Sequence, residues 1–357
     1  MRKSLVLILP LTVLLAGCQP SEAPAPAPQQ TVDIRTAPVL KPHKQTFHVF
    51  GTLVHVTLYA DSSQRAREAF GHIARELQAF HQRWHAWEPG GLLYRVNTAF
   101  LLGHSIKVPA DMAAFIQKSK DLYRLSEGYF DPSIGALINL WGFHSDTPTG
   151  PPPTEKQLRT WMQHRPTMDD VVVIENTISA RNNLAELDFG ANAKGLALDQ
   201  VLNYLKQAGI EHAIINIGGD MKALGLKPGG QPWRIGVADP HNPERSLARI
   251  DLQAGEAIVT SGTYERFFDW NGHRYSHIIN PHTARPAEGI LSVTVIHRDA
   301  ITADAAATAL LAAGPEKWRE VAQKMGLSQV AVILEDGRLE MTEAMKKRWQ
   351  PLEKQQP

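Results

Sequence analysis

Apolar positions along the chain change their spacing several times, and each change predicts a different element. From Phe47 to Tyr59 the chain is rich in β-branched and aromatic residues, which predicts a strand or a hairpin. Ala66, Ala69, Phe70, Ile73, Leu77, Phe80 and Trp84 then recur every three or four residues, the stripe of an amphipathic helix. A second helix is predicted from Asp111 to about Ser126. Pro151-Pro152-Pro153 breaks the chain, and Thr154-Glu155-Lys156-Gln157 can form a capping box for a short helix. Val171–Ile174 predicts a strand, and Glu186 to Gly190 a strand that turns into a helix over about Asn192 to Ala208. Short strands are predicted at His212–Ile217, Trp233–Val237, Leu247–Leu252 and Leu291–His297. A helix follows over about Thr302 to Ala313, with more helix from Glu316. Ser328–Leu334 and Arg338–Met341 flank Glu335-Asp336-Gly337 as a hairpin. Strands and helices mix without steady alternation. The expected fold class is therefore α+β, with mixed, largely antiparallel sheets and packed helices.

The N-terminus departs from this pattern. Arg2 and Lys3 precede an apolar run from Leu5 to Leu15, which ends in Leu15-Ala16-Gly17-Cys18. A basic start, a short apolar core and small residues make a secretory signal, and the run is too short for a comfortable membrane span. Cys18 is the only cysteine, so it has no internal disulfide partner. A plain signal peptide with an incidental Cys would look similar, but Leu-Ala-Gly-Cys closely resembles the bacterial lipobox. On that basis residues 1–17 are expected to be a lipoprotein signal peptide, and Cys18 to carry the lipid of a protein anchored on the periplasmic side. Gln19, rather than Asp, points to the outer membrane. Residues 18–45 hold Pro20, Pro24, Pro26, Pro28, Pro38 and Pro42, an extended tether. The 37 Lys+Arg against 36 Asp+Glu argue against a nucleic-acid partner.

Several segments could carry chemistry. Asp304 and Thr308 lie four apart on a predicted helix, so two hard oxygen donors suited to Mg²⁺ share one side; simple dipole complementation by Asp304 is the competing account. Asp188-Phe189-Gly190-Ala191-Asn192-Ala193-Lys194-Gly195 ends a strand in small residues and opens a helix, an arrangement that admits an anion or simply makes a tight turn. Asn216-Ile217-Gly218-Gly219-Asp220 is a turn or a ligand contact. Thr260-Ser261-Gly262-Thr263-Tyr264-Glu265-Arg266 and Arg274-Tyr275-Ser276-His277-Ile278-Ile279-Asn280-Pro281 gather hydroxyls, arginines and an imidazole; His277 could act as a base, or be a satisfied structural group. His81 and His85 are i,i+4, but lack the His-Glu-x-x-His frame and a third ligand nearby. Phe70, Phe80, Trp84 and Trp87 are expected in the core. Ser261-Gly262 lacks the frame of a nucleophile elbow.

The string Glu127-Gly128-Tyr129-Phe130-Asp131-Pro132-Ser133-Ile134-Gly135-Ala136-Leu137-Ile138-Asn139-Leu140-Trp141-Gly142-Phe143 resembles the central signature of the ApbE-type FAD:protein FMN transferases, once called thiamine-biosynthesis lipoproteins. Phe50-Gly51-Thr52, Asp188 to Gly195, Gly218-Gly219-Asp220, Thr260-Ser261-Gly262, Ser276-His277-Ile278 and Thr302-Ala303-Asp304 with Thr308 also match, in the family's order. The resemblance implies a flavin transferase (T-fold-like) architecture over residues 46–350, with FAD in a cleft. It implies that Phe50, Tyr129, Phe130, Asp131, Asp188, Lys194 and Ile279 hold FAD, the substrate. It assigns Mg²⁺ to the Ala191 carbonyl, Asp304 and Thr308, and proton transfer to His277. The implied reaction moves the FMN moiety to a Thr (or Ser) hydroxyl of an acceptor flavoprotein subunit of a membrane redox complex, releasing AMP. The alternatives are an FAD pyrophosphatase giving FMN and AMP, and a non-catalytic flavin-binding lipoprotein. Phe50 replaces the family's usual Met, Gly91 a common Ser, and Ala284 the Gly of a Thr-Gly pair.

Overall fold

The computed structural model describes residues 39–145 and 147–352. The expected signal peptide, the lipidated Cys18 and most of the tether lie outside the described residues. Strand structure begins at Lys41, within the stretch read as tether. Lys41–Val49 (β1) pairs without a break against Thr52–Ala60 (β2), from Lys41↔Ala60 to Val49↔Thr52. As β1 is the edge of its sheet, it tolerates Pro42, whose missing N–H would break an inner ladder.

The hairpin turn consists of Phe50 and Gly51, with φ of 62° and 68°. Two successive positive φ values give the turn twist that matches twisted strands. Glycine takes that conformation freely, whereas for phenylalanine it is strained.

β1 and β2 continue into Ala213–Ile217 (β3), Asp220–Leu224 (β4), Ala257–Gly262 (β5), Ile290–His297 (β6), Gln329–Leu334 (β7) and Leu339–Met341 (β8). These form one eight-stranded sheet in which spatial order follows chain order. Every neighbouring pair is antiparallel. Side chains alternate between its faces, as the pleat requires. Val54, Val56, Leu58, Ile215, Val259, Val293, Val295 and Val330 face the helices. Ala223, Ile258, Ile296 and Ala331 pack with Trp233, Ile235, Ile250 and Leu252. The latter four belong to a second sheet, built from Trp233–Asp239, Asn242–Leu252 and Gln350–Pro351.

Among the described residues the helices are α1 (Ser63–Trp84), α2 (Leu92–Leu101), α3 (Ala110–Leu125), α4 (Ala193–Gln207) and α5 (Ala300–Lys324), with three shorter ones. α1 buries Ala66, Ala69, Ile73, Leu77, Phe80 and Trp84, the predicted stripe apart from the half-buried Phe70. α5 touches β5, β6 and α4 through a face of buried alanines, among them Ala303, Ala306, Ala307 and Ala309. The approach to α4 is so close that a Cβ on Gly195 would stand 2.4 Å from the Ala300 carbonyl oxygen. α5 breaks at Gly314 (φ 77°), followed by Pro315, where the sequence predicts the end of one helix and the start of another.

A third packed group joins the short helices Gly135–Leu140 and Glu155–Gln163 to the hairpins Phe267–Ser276 and Ile279–Pro286 through Leu137, Trp141, Phe143, Leu158, Phe268 and Ile279. The capping box forms as predicted: Gln157 N donates to Thr154 Oγ1, and Thr154 N to the Gln157 side chain. One predicted strand fails, and two elements carry no prediction. The strand from Glu186 to Gly190 reduces to a single parallel bridge, Ile134↔Glu186, because that backbone turns to present Asp188. α2 and β5 lack strong sequence signals; β5 ends in Thr260-Ser261-Gly262, residues typical of loops.

Candidate active site

A cavity of about 1130 Å³ opens between the helices, the strand ends and the third packed group. Phe50, Tyr129, Phe130, Asp131, Asp188, Ala191, Lys194, His277, Ile279, Asp304 and Thr308 all line it, so the structure gathers the predicted site residues of the described chain in one place. Their sources are the β1–β2 turn, the segment after α3, the turn into α4, the hairpins after β5, and the second and third turns of α5.

One end is a cluster of charges. Lys194 Nζ stands 2.5 Å from Asp220 Oδ2. Asp304, 1% exposed, accepts a 3.0 Å hydrogen bond from Gly195 N–H. Asp304 does not serve the α5 dipole as a cap, since Asp299 is the N-cap and accepts from Ile301 and Thr302 N–H. Burial pushes Asp304 up to about 7; the Lys194 charge opposes this and Asp220 adds to it. Burial likewise raises Asp220 and lifts Glu265 to about 7. Burial works against the Lys194 charge, but Asp220, Asp304 and Glu265 outweigh it and hold the ammonium above its ordinary range. Two buried carboxylates, Asp220 and Asp304, and the more exposed Glu265 thus share one lysine, a deficit of positive charge that a divalent cation would fill. Thr308 Oγ1 lies 3.4 Å from Ser261 Oγ, adding hydroxyl donors on the same side. Carboxylate, hydroxyl and the Ala191 carbonyl make a hard oxygen set, which suits Mg²⁺.

His277 lies beyond this cluster. Its Nδ1 donates to the Arg266 carbonyl oxygen at 3.0 Å, which leaves the Nε2 lone pair free. Burial pushes this imidazole down to about 4, so it is neutral near pH 7. Arg266 in turn donates through Nη2 to the Phe143 carbonyl at 2.8 Å, tying the start of the hairpin to the segment after the helix Gly135–Leu140.

The remaining walls are aromatic and acidic. Phe50 meets Phe80 edge-on, with ring centroids 5.5 Å apart. Asp188 Oδ1 accepts from Gly190 N–H at 2.7 Å and Oδ2 from the Trp87 indole at 3.1 Å. Trp87, expected in the core, is therefore a half-buried cleft residue that orients Asp188. Asp131 Oδ1 accepts from Ser133 N at 3.0 Å and Ser133 Oγ at 2.5 Å. Burial lifts Asp131 to about 6.

His81 and His85 do gain a third neighbour, Glu88, with side-chain ligand atoms all within 4.8 Å of one another. His85 Nδ1, however, accepts from the N–H groups of Trp87 (3.2 Å) and Glu88 (3.0 Å), which puts its proton on Nε2. That tautomer has no lone pair left for a metal. Asp220, Glu265 and Trp87 are the site residues to which sequence reasoning gave no role in the site. Asp220 and Glu265 stand inside recognised motifs, the one signal available for them.

Fold and site together define an α+β protein with one large cleft, charged at one end and aromatic along its walls. The same fold recurs in solved structures. The apbe protein from Thermotoga maritima is 30% identical with a TM-score of 0.79, covering 86% of this chain and 99% of that one. The flavin transferase ApbE from Vibrio cholerae is 28% identical with a TM-score of 0.76, covering 87% and 100%. The ApbE family profile matches residues 50–334, and the chain belongs to that family. Among its relatives is an FAD:protein FMN transferase of Rhodobacter capsulatus, 40% identical over 309 residues, 87% of this chain. Another of that name, from Escherichia coli K12, is 28% identical over 337 residues, covering 93% of this chain and 92% of that protein. The chain spans 58% of the Rhodobacter relative's length and 66% of that of a Vibrio cholerae relative.

Proposed function

We propose that this protein transfers the FMN half of FAD onto a hydroxyl of an acceptor protein. The observation that carries this reading is a neutral, half-buried His277 with free Nε2 in the same cavity as the Lys194–Asp220–Asp304 cluster. A cavity of about 1130 Å³ has room for a dinucleotide, and relatives named FAD:protein FMN transferase point to which one.

In this reading His277 Nε2 takes the proton from a Thr or Ser hydroxyl as its oxygen attacks the FMN phosphorus. The new O–P bond forms as the pyrophosphate P–O bond breaks, and AMP leaves with that oxygen. Asp304, Thr308 and the Ala191 carbonyl would hold Mg²⁺, which when bound neutralises pyrophosphate charge and steadies the departing AMP. Lys194 offers a fixed cation to the phosphates, and the aromatic walls hold the flavin ring against water. A lipid at Cys18 would place the enzyme on the periplasmic side of a membrane, within reach of membrane redox subunits as acceptors.

Incubation with FAD, Mg²⁺ and an acceptor domain tests this. Covalent flavin on the acceptor, seen as an added FMN mass, is expected. FMN and AMP released with no acceptor labelled would instead identify a pyrophosphatase. FAD bound but unchanged would identify a binding lipoprotein.

A further inference from the structure

Arg165 follows the helix Glu155–Gln163 and does not line the cavity, yet its side chain is only 15% exposed. The turn carrying it is anchored on both sides. Asn182 Nδ2 donates to the His164 carbonyl at 2.9 Å, and Thr167 N donates to Asp170 Oδ2 at 2.8 Å. Arg165 Nη2 stands 3.7 Å from Asp131 Oδ2, whose side chain is 0% exposed. Among the described residues, neither Asp131 Oδ2 nor Arg165 Nε has a hydrogen-bond partner.

A buried ion pair held beyond hydrogen-bond distance, with polar atoms left unpaired, is a costly arrangement for stability alone. It leaves the lone pairs of Oδ2 uncommitted on a residue that lines the cleft. We propose that Arg165 is a positioning residue: it holds the Asp131 carboxylate ionised and oriented, so that Oδ2 accepts a hydrogen bond from a donor on the flavin half of FAD. The inference rests on the reading of the cleft as an FAD site and deepens it.

The groups around Asp131 leave Arg165 to supply the charge. Tyr123 of α3 faces it, and burial together with the Asp131 charge raises that phenol and keeps it neutral. Ser133 contributes only neutral donors to Oδ1. His282 flanks Arg165, and burial with the Arg165 charge lowers it, so it too is neutral near pH 7. Burial already holds Asp131 at about 6 with Arg165 in place. Losing an opposite charge at this range raises a carboxyl by about 1–3 units, which would leave Asp131 largely protonated at neutral pH.

The test is FAD affinity of the full-length protein, by flavin fluorescence with EDTA present, from about pH 5.5 to 9. Wild-type affinity should fall as pH drops through about 6. In Arg165→Met the half-point should move up, with affinity about tenfold weaker at pH 7 and recovering to within about twofold at pH 9. Arg165→Lys, a point charge without the planar fork, should restore most of the difference. On an Asp131→Asn background, Arg165→Met should change affinity no further. Equal weakening at every pH, or a further tenfold loss when Arg165→Met is added to Asp131→Asn, would overturn the inference and mark Arg165 as packing. Unchanged binding by Arg165→Met at all pH values would overturn it as well. A wild-type protein that binds no FAD at any pH would overturn both the inference and the cleft assignment.

Discussion

Asp304→Asn separates stability from function at the charged end of the cleft. Unfolded, Asp304 titrates near 3.8; folded, burial holds its proton to about 7. Between those values the folded state binds the extra proton, so the contribution of this group is fully present below about 3.8 and is lost as pH rises through about 7. At about 1.36 kcal/mol per unit, the ionised carboxylate costs the metal-free protein at most about 4 kcal/mol at pH 8. Asn removes that cost and keeps an oxygen for the Gly195 N–H. The variant should therefore melt several degrees above wild type at pH 8 without Mg²⁺, at roughly 2–4 °C per kcal/mol, and the gap should shrink toward pH 4. Mg²⁺ should raise the Tm of wild type at pH 8 and leave the variant unmoved, because on the proposed reading the Asp304 carboxylate is the anionic ligand of the ion. FMN transfer by the variant should fall on the order of 100-fold. Thermal melts at two pH values, each with EDTA or excess Mg²⁺, read all of this. A variant less stable than wild type at pH 8, or one whose Tm responds to Mg²⁺ as wild type does, would refute the reasoning.

His277→Asn should lose about 10²–10⁴-fold in transfer and keep its FAD affinity, as binding titration and single-turnover assays would show. Because burial holds His277 at about 4, the wild-type rate should show no limb from this group between about pH 5 and 8. Phe50→Asn places an Asn-Gly pair in a turn with both φ values positive. Relief of strain and loss of the Phe80 contact are each worth about 1 kcal/mol, so Tm should hardly move while FAD binding weakens; a large fall in Tm with normal affinity would contradict this. Gly195→Ala drives a Cβ to 2.4 Å from the Ala300 carbonyl oxygen, and the helices must part. A loss of about 3 kcal/mol or more is expected in denaturant melts, together with weaker stabilisation by Mg²⁺, since Gly195 N–H holds Asp304.

What the sequence determined by itself was local or ordered along the chain. The α1 stripe, the Thr154 capping box and the break at Gly314-Pro315 are written in neighbouring residues, because helix periodicity and capping depend on contacts within a few positions. The candidate site was legible for a related reason: its residues stand in seven short segments whose order resembles one family, and the structure brings those segments to one cavity. Tertiary structure alone decided which side chains meet. Nothing near Lys194 in the chain announces Asp220 as its partner; the β3–β4 hairpin delivers it. Trp87 reads as a core residue until its indole reaches Asp188, and Arg165 reads as a loop cation until the turn after Gln163 sets it against Asp131. β5 carries loop-like residues and becomes a central strand because β4 and β6 flank it. The shifted protonation of Asp131, Glu265, His277 and Asp304 belongs to the same class: each shift comes first from burial, and burial is a property of the packed chain that no residue carries alone.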